Sequence, residues 1–323
     1  MMTTCLILGA TGYIGGHVAK AALERGWQTY GLRRNPRAVG HLRDAPVTWV
    51  PGDLADPPSL QAAMQGVDVV FHAAAYYPKQ GQPHRDVPAQ VAYALQEIEA
   101  VLDAARKAGV LRFVFTSTLT TIGRPPDGSN RLADENDFYL PGTVPKSGYY
   151  ETKFAMEARV QQAAREGFPA VIVNPTAVFG PGGIHGTTGS LLMAIARGWG
   201  IAWLPVQLNV VDVRDVAAAH LVATEKGNIG ERYILGGHNM SMREALGIVA
   251  RVAGTHPPRF EIPLRVIDWI VALGDIFHSQ VTGNHLRAIR YWQGYNTEKA
   301  RRELGLSPRP FDQTVQDALE DQG

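Results

Sequence analysis

The chain has 323 residues, 45% of them hydrophobic and 19% charged, enough for one large domain or two intimate ones. A formal net charge of +1 points to neither nucleic acid nor an anionic membrane as partner. The single cysteine, Cys5, excludes an internal disulfide framework and a multi-cysteine metal centre, and no metal site is expected.

Met1-Met2-Thr3-Thr4 carries no basic stretch of the kind that opens a secretory signal, so the cytoplasm is the expected location. Cys5 to Leu8 is a short apolar run that predicts a buried strand. Glycines follow at 9, 12 and 15, and a helical pattern runs over 13–25. Strand, glycine turn and helix together place a pyrophosphate on a helix N-terminus. Gly9 suits the tight turn, Gly12 lets the backbone approach the phosphates, and Gly15 lets helix and strand pack closely. The spacing is G-x-x-G-x-x-G rather than G-x-G-x-x-G, and three such glycines also suit an ordinary strand–helix turn.

A second strand is predicted over 28–32, ending in Arg33-Arg34-Asn35-Pro36. No acidic residue lies between Thr29 and Pro36 to accept from a ribose 2′-hydroxyl, as NAD requires. Arg33 and Arg34 can instead pair with a 2′-phosphate, so NADP is the expected cofactor, with NAD the alternative; the same arginines also suit a solvated loop. A third strand over 47–51 leads to Gly52-Asp53-Leu54, where Asp53 can bond an adenine amino group. A helix over 57–66 and a fourth strand over 67–75 follow, the strand running out into His72-Ala73-Ala74-Ala75, small residues against which a nicotinamide can lie. Tyr76 and Tyr77 come next, either lining a substrate mouth or capping the core.

Residues 88–109 read as a long helix closed by Gly109, and 113–116 as a fifth strand leading into Thr116-Ser117-Thr118. A loop rich in Gly, Pro, Asn and Asp covers 123–146, a helix runs over 150–165, and a sixth strand over 170–173. This alternation predicts an α/β fold with a doubly wound parallel sheet of Rossmann type. From Asn174 the pattern changes. Helices are expected over 191–197, 213–225, 263–277 and 296–304, with strands over 208–211 and 232–235; Ser241 and Glu244 form a capping box opening a helix to Val252. The 264–277 stretch, which holds Arg265, Asp268 and Asp275, is too short and charged to span a bilayer, so no membrane is expected. Residues 1–173, completed by about 206–226, are assigned to the dinucleotide-binding domain, and 174–205 with 227–323 to a smaller, mostly helical substrate lobe.

Tyr149 and Lys153 stand four residues apart, on one face of a helix. A lysine ammonium beside a phenol favours phenolate, which makes tyrosine a usable acid or base near neutral pH. Thr118 ends the preceding strand and offers a hydroxyl to a substrate oxygen.

With these motifs in order, the chain resembles the extended short-chain dehydrogenases/reductases over nearly its whole length. The matching segments are Gly9-Ala10-Thr11-Gly12-Tyr13-Ile14-Gly15, Gly52-Asp53-Leu54, His72-Ala73-Ala74, Phe115-Thr116-Ser117-Thr118 and Tyr149-x-x-x-Lys153. Later come Gly180-Pro181-Gly182, Val211-Asp212-Val213-Arg214-Asp215-Val216 and Lys299-Ala300-Arg301-Arg302-Glu303-Leu304-Gly305. The resemblance implies that Thr118 takes the catalytic Ser/Thr role, with Ser117 its neighbouring candidate, Tyr149 the acid/base role and Lys153 the orienting role. The cofactor is expected against Gly9, Thr11, Gly12, Tyr13, Ile14, Gly15, Arg33, Arg34, Asp53, Leu54, Ala73, Ala74, Ala75, Thr116, Tyr149, Lys153, Pro175 and Val178.

Two departures bear on the reaction. The related nucleotide-sugar epimerases and dehydratases hold an asparagine for the substrate diphosphate where this chain has Ala177. The Asn174-Pro175 form is similar to dihydroflavonol-reductase-like and cinnamoyl-CoA-reductase-like enzymes, while Ile229-Gly230-Glu231-Arg232-Tyr233-Ile234-Leu235-Gly236-Gly237 is similar to bacterial proteins labelled sugar epimerases. Ala94 stands where the family places an asparagine that supports a proton relay. The expected activity is NADP-dependent reduction of a ketone or aldehyde on a small, largely apolar molecule. Tyr76, Tyr77, Trp199 and Trp203 are candidates for aromatic walls, or else plain core. The alternatives are a nucleotide-sugar 4-epimerase or dehydratase with retained NAD, and a non-catalytic dinucleotide sensor of the same fold. A homodimer is left open.

Overall fold

The structure, a computed structural model, describes residues 2–74, 86–126, 128–183, 193–276 and 284–321. Ala75, Tyr76 and Tyr77 lie outside the described residues. The first six strands are β1 (Thr4–Leu8), β2 (Gln28–Arg33), β3 (Thr48–Pro51), β4 (Val69–His72), β5 (Arg112–Thr116) and β6 (Ala170–Pro175). With Arg232–Leu235 they form a seven-stranded parallel sheet in the order 232–235, β6, β5, β4, β1, β2, β3. Strand order reverses between β1 and β4, and in such sheets the crevice at that point is where ligands bind.

The sheet is covered on both faces, so β1, β4, β5 and β6 are buried at nearly every position rather than at alternate ones. Cys5 and Ile7 face one layer, with Val18, Ala19 and Ala22 of the helix Tyr13–Glu24 and Val216, Leu221 and Ala223 of the helix Val213–Lys226. Leu6 and Leu8 face the other, with Leu60 of Pro57–Ala63, Ile98 and Leu102 of Val87–Ala108, and Met156 and Val160 of Gly148–Arg165. Gly109 closes Val87–Ala108 at φ 69°, a left-handed cap that glycine takes without strain.

The lobe assignment is corrected in two places. The strand Gln207–Asp212 does not complete the large sheet; it pairs with Ala177–Phe179 and His238–Ser241 in a separate three-stranded sheet. The seventh strand is Arg232–Leu235, expected in the lobe and paired in parallel with β6. All four of its residues are buried, so it fits where both faces are covered, whereas Gln207 is exposed. β6 also runs two residues further than expected, through Asn174 and Pro175. A third cluster, with Phe179, Val210, Leu246, Val249, Phe311 and Val315, forms the core of the smaller lobe. The Ser241–Glu244 capping box is present in full at the start of Met242–Val252.

Candidate active site

The glycine turn lies at the strand-order reversal. Gly9 has φ +96°, and a Cβ placed on it would lie 2.6 Å from the Ala74 amide nitrogen. A side chain on Gly15 would strike the Gly9 carbonyl, and the Gly12 amide donates to that carbonyl at 2.9 Å. Gly12 caps the helix Tyr13–Glu24 without a side-chain hydrogen bond, and the first turn carries no acidic residue. Its leading amides and the positive end of the helix dipole therefore suit an anion. The Tyr13 hydroxyl is buried with no hydrogen-bond partner among the described residues. These features fit a dinucleotide pyrophosphate. Thr11 is overlain by Gly40, Ile14 packs half-buried against the core, and the Ala73 amide donates to Leu8 O at 2.9 Å.

At the end of β2, Arg33 lies over the Trp49 ring, 4.9 Å from its centroid. Arg34 is exposed and sits 3.7 Å from Asp53. Asp53 also accepts from the Ala55 amide at 3.1 Å, so its carboxylate orders its own turn as well as facing the arginine. Leu54 packs half-buried on the second core cluster and Val178 on the first.

Tyr149 is half-buried in the first turn of Gly148–Arg165, and its ring meets Tyr150 edge-on at 6.5 Å. The loop before this helix is tied to it by Glu151, which accepts from the Tyr139 hydroxyl and the Gly142 amide, each at 2.8 Å. Lys153 Nζ is buried, donates to the Thr116 carbonyl at 3.2 Å and lies 5.4 Å from the Phe115 ring centroid. Burial pulls its pKa down to about 8, opposed by the charge of Glu157. His72, at the end of β4, is held down to about 3 by burial and by the Lys153 charge, and neither ring nitrogen bonds another of the described residues. Thr118 is buried at the start of the short turn Leu119–Thr121 and accepts from the Thr120 amide at 3.4 Å. Ser117 Oγ lies instead 3.4 Å from Thr121 Oγ1. Thr116 turns its hydroxyl to His220 Nε2 at 2.9 Å, on the opposite side from its carbonyl's lysine.

Sequence reasoning missed the polar group behind these residues. Glu157, one turn beyond Lys153, accepts from Thr121 Oγ1 and Asn174 Nδ2 at 2.7 Å each and pairs with Arg232 at 2.8 Å. Arg232 also donates to the Thr121 carbonyl at 2.8 Å and to the Glu135 carbonyl at 2.9 Å. Asn174 reaches the Thr118 carbonyl at 3.3 Å. The network links the helix of Tyr149 and Lys153, the turn of Thr118, β6 and the edge strand. The only sequence signal is the four-residue step from Lys153 to Glu157. Ala94 is fully buried in the apolar cluster with Ile98 and Leu102, and Ala177 begins the strand Ala177–Phe179. Trp199 lies on the surface at 71% exposure, and Trp203 packs half-buried against the lobe core, as its plain-core alternative has it.

The family described as NAD dependent epimerase/dehydratase matches residues 5–236. The chain belongs to that family. It is an NAD(P)-dependent enzyme of the extended short-chain dehydrogenase/reductase type. A putative dihydroflavonol 4-reductase of Synechocystis is 32% identical, over 98% of this chain and 94% of the relative. A 4-hydroxy-2-methyl-3-oxo-4-farnesyl-3,4-dihydroquinoline-1-oxide ketoreductase of Stigmatella aurantiaca is 30% identical, over 98% and 96%. The solved structure of a nucleoside-diphosphate-sugar epimerase from Pseudomonas aeruginosa superposes with TM-score 0.81 at 27% identity, covering 99% of this chain and 97% of that one.

Proposed function

We propose that this family member is an NADP-dependent reductase of a ketone or aldehyde on a small, largely apolar molecule. The observation that carries the reading is Lys153, buried and donating to Thr116 O at 3.2 Å, one helical turn from Tyr149 and beside the strand end that carries Thr118. In this reading Tyr149 gives a proton to the oxygen that becomes the alkoxide, Thr118 hydrogen-bonds the same oxygen, and Lys153 orients the ribose and keeps a positive charge near the phenol. The nicotinamide cofactor, when bound, supplies the hydride. Ser117 fits the hydroxyl role less well, because its Oγ is turned toward Thr121. An apolar substrate is supported by Ala177, which offers no diphosphate contact, and by a relative whose name describes a farnesylated ketone substrate. Aryl ketones and aldehydes with NADPH, assayed beside UDP- and TDP-sugars in calorimetry, test the reading. Turnover of a carbonyl compound is expected. Micromolar binding of a sugar nucleotide with no carbonyl reduced overturns it in favour of the epimerase, a reading that the Pseudomonas structure supports.

NADP preference rests on Arg34. Its guanidinium is exposed at the end of β2, and the acidic group beside it, Asp53, already faces the arginine. Arg34→Ala is expected to weaken NADPH about ten- to a hundredfold, as loss of a charge-assisted phosphate contact does, and to leave NADH nearly unchanged. Titration of both nucleotides checks this. Equal weakening of the two assigns the phosphate to another group, with Arg33 the first to test.

A further inference from the structure

Among the described residues, no helix is long and apolar enough to cross a membrane. The helix Leu264–Ile276 is nonetheless apolar on two sides. Ile267 is buried, and Leu264 and Val271 are half-buried, at spacing i, i+3, i+7. Val266, Trp269, Ile270 and Leu273 form a second stripe at i, i+3, i+4, i+7, and this one faces outward, with Trp269 72% exposed. A surface helix of a water-soluble protein ordinarily keeps its second face polar.

The stripe has apolar company. Phe260, 65% exposed, lies just before the helix, and its amide donates to Ile201 O at 3.1 Å. Ile201 is 68% exposed, and Trp199 stands two residues before it. Large exposed apolar patches mark interaction surfaces rather than ordinary surface composition. The charges around this one are mostly basic. Arg197, Arg259 and Arg265 are exposed, and Arg197 lies 5.6 Å from the Trp199 ring centroid. Among the described side chains, Asp268 is engaged by Arg290 at 3.4 Å and Glu261 is exposed, and the helix also carries Asp275.

We propose that the outer stripe of Leu264–Ile276, with Phe260, Ile201 and Trp199, seats the protein on an anionic lipid surface, with the arginines against the headgroups. Tryptophan suits the bilayer interface, where an apolar body and a polar N–H are both satisfied. An apolar stripe flanked by arginines is the composition of helices that lie in that interface rather than cross it. The whole-chain charge of +1 gives no hint of this, because it averages over a local basic rim.

Co-sedimentation with vesicles tests it. The full chain is expected to pellet with phosphatidylglycerol-containing vesicles, several-fold less with pure phosphatidylcholine, and less in high salt. Trp269→Glu combined with Leu273→Glu is expected to lower partitioning at least about tenfold, with the melting midpoint and NADPH affinity unchanged. Both side chains are exposed, and neither belongs to the proposed reaction site. As a second readout, brominated lipid is expected to quench the tryptophan fluorescence of the native protein more than that of Trp269→Phe. A protein that stays in the supernatant with anionic vesicles overturns the proposal, as does a double variant that pellets like the native chain. A dimer that the double variant dissociates, with no vesicle binding by either, also overturns it and makes the stripe an interface between copies.

Discussion

Tyr149→Phe is expected to lower carbonyl turnover by about 10²–10⁴-fold, the ordinary range of a general-acid contribution, with NADPH affinity nearly unchanged. Only the transferable proton is lost. The ring stays in the first turn of its helix, edge-on to Tyr150, and the lysine one turn on keeps its bond to Thr116 O. Removing the hydroxyl alone therefore separates proton donation from packing. Steady-state rates beside a nucleotide titration decide it. A variant that retains more than about a tenth of the rate places the proton donor elsewhere. A variant that loses NADPH affinity in step with rate gives Tyr149 a structural role instead.

The largest effect on stability is expected from Glu157→Gln. The Glu157 and Arg232 side chains are each about 3% exposed, so the pair is shielded from water. Removing one member of a buried pair leaves the other charge uncompensated, which costs about 3–5 kcal/mol. Glutamine retains the size and can still bond Thr121 and Asn174, so the loss reports the charge. In a chain of this length that loss lowers the melting midpoint by roughly 5 °C. Glu157→Gln combined with Arg232→Met removes both charges and is expected to recover part of the loss, because a buried pair adds little over apolar residues that fill the same space, while the Glu135 carbonyl loses its Arg232 donor. Thermal unfolding of the three proteins checks this. A single variant within about 1 kcal/mol of the native chain shows that the pair is better solvated than its burial indicates. The single variant also removes the negative charge that opposes the effect of burial on Lys153, so its ammonium is expected to deprotonate at lower pH. Any activity that needs the charged lysine then falls off at lower pH in Glu157→Gln than in the native enzyme.

What the sequence alone determined about this protein is local. The apolar run at 5–8, the glycines at 9, 12 and 15, the helical pattern after them and the step from Tyr149 to Lys153 each lie within one or two turns of chain, where spacing dictates geometry. The Gly109 cap and the Ser241–Glu244 box are likewise decided by neighbours in sequence. Apolar periodicity reports that a segment is buried, not against what, and the tertiary structure alone supplied the partners. It placed Arg232–Leu235 beside β6 and moved Gln207–Asp212 to a separate sheet, although both read equally well as strands. It turned Asn174, read from sequence only as part of an Asn-Pro signature, into a donor to Glu157 and to the Thr118 carbonyl. It brought Arg232 to Glu157 from a different element. It also set the outer stripe of Leu264–Ile276 toward solvent, which the pattern could not reveal because both sides of that helix are apolar. In each case the deciding contact joins residues far apart in the chain, and the pairing depends on how strands and helices stack rather than on the order of residues within any one of them.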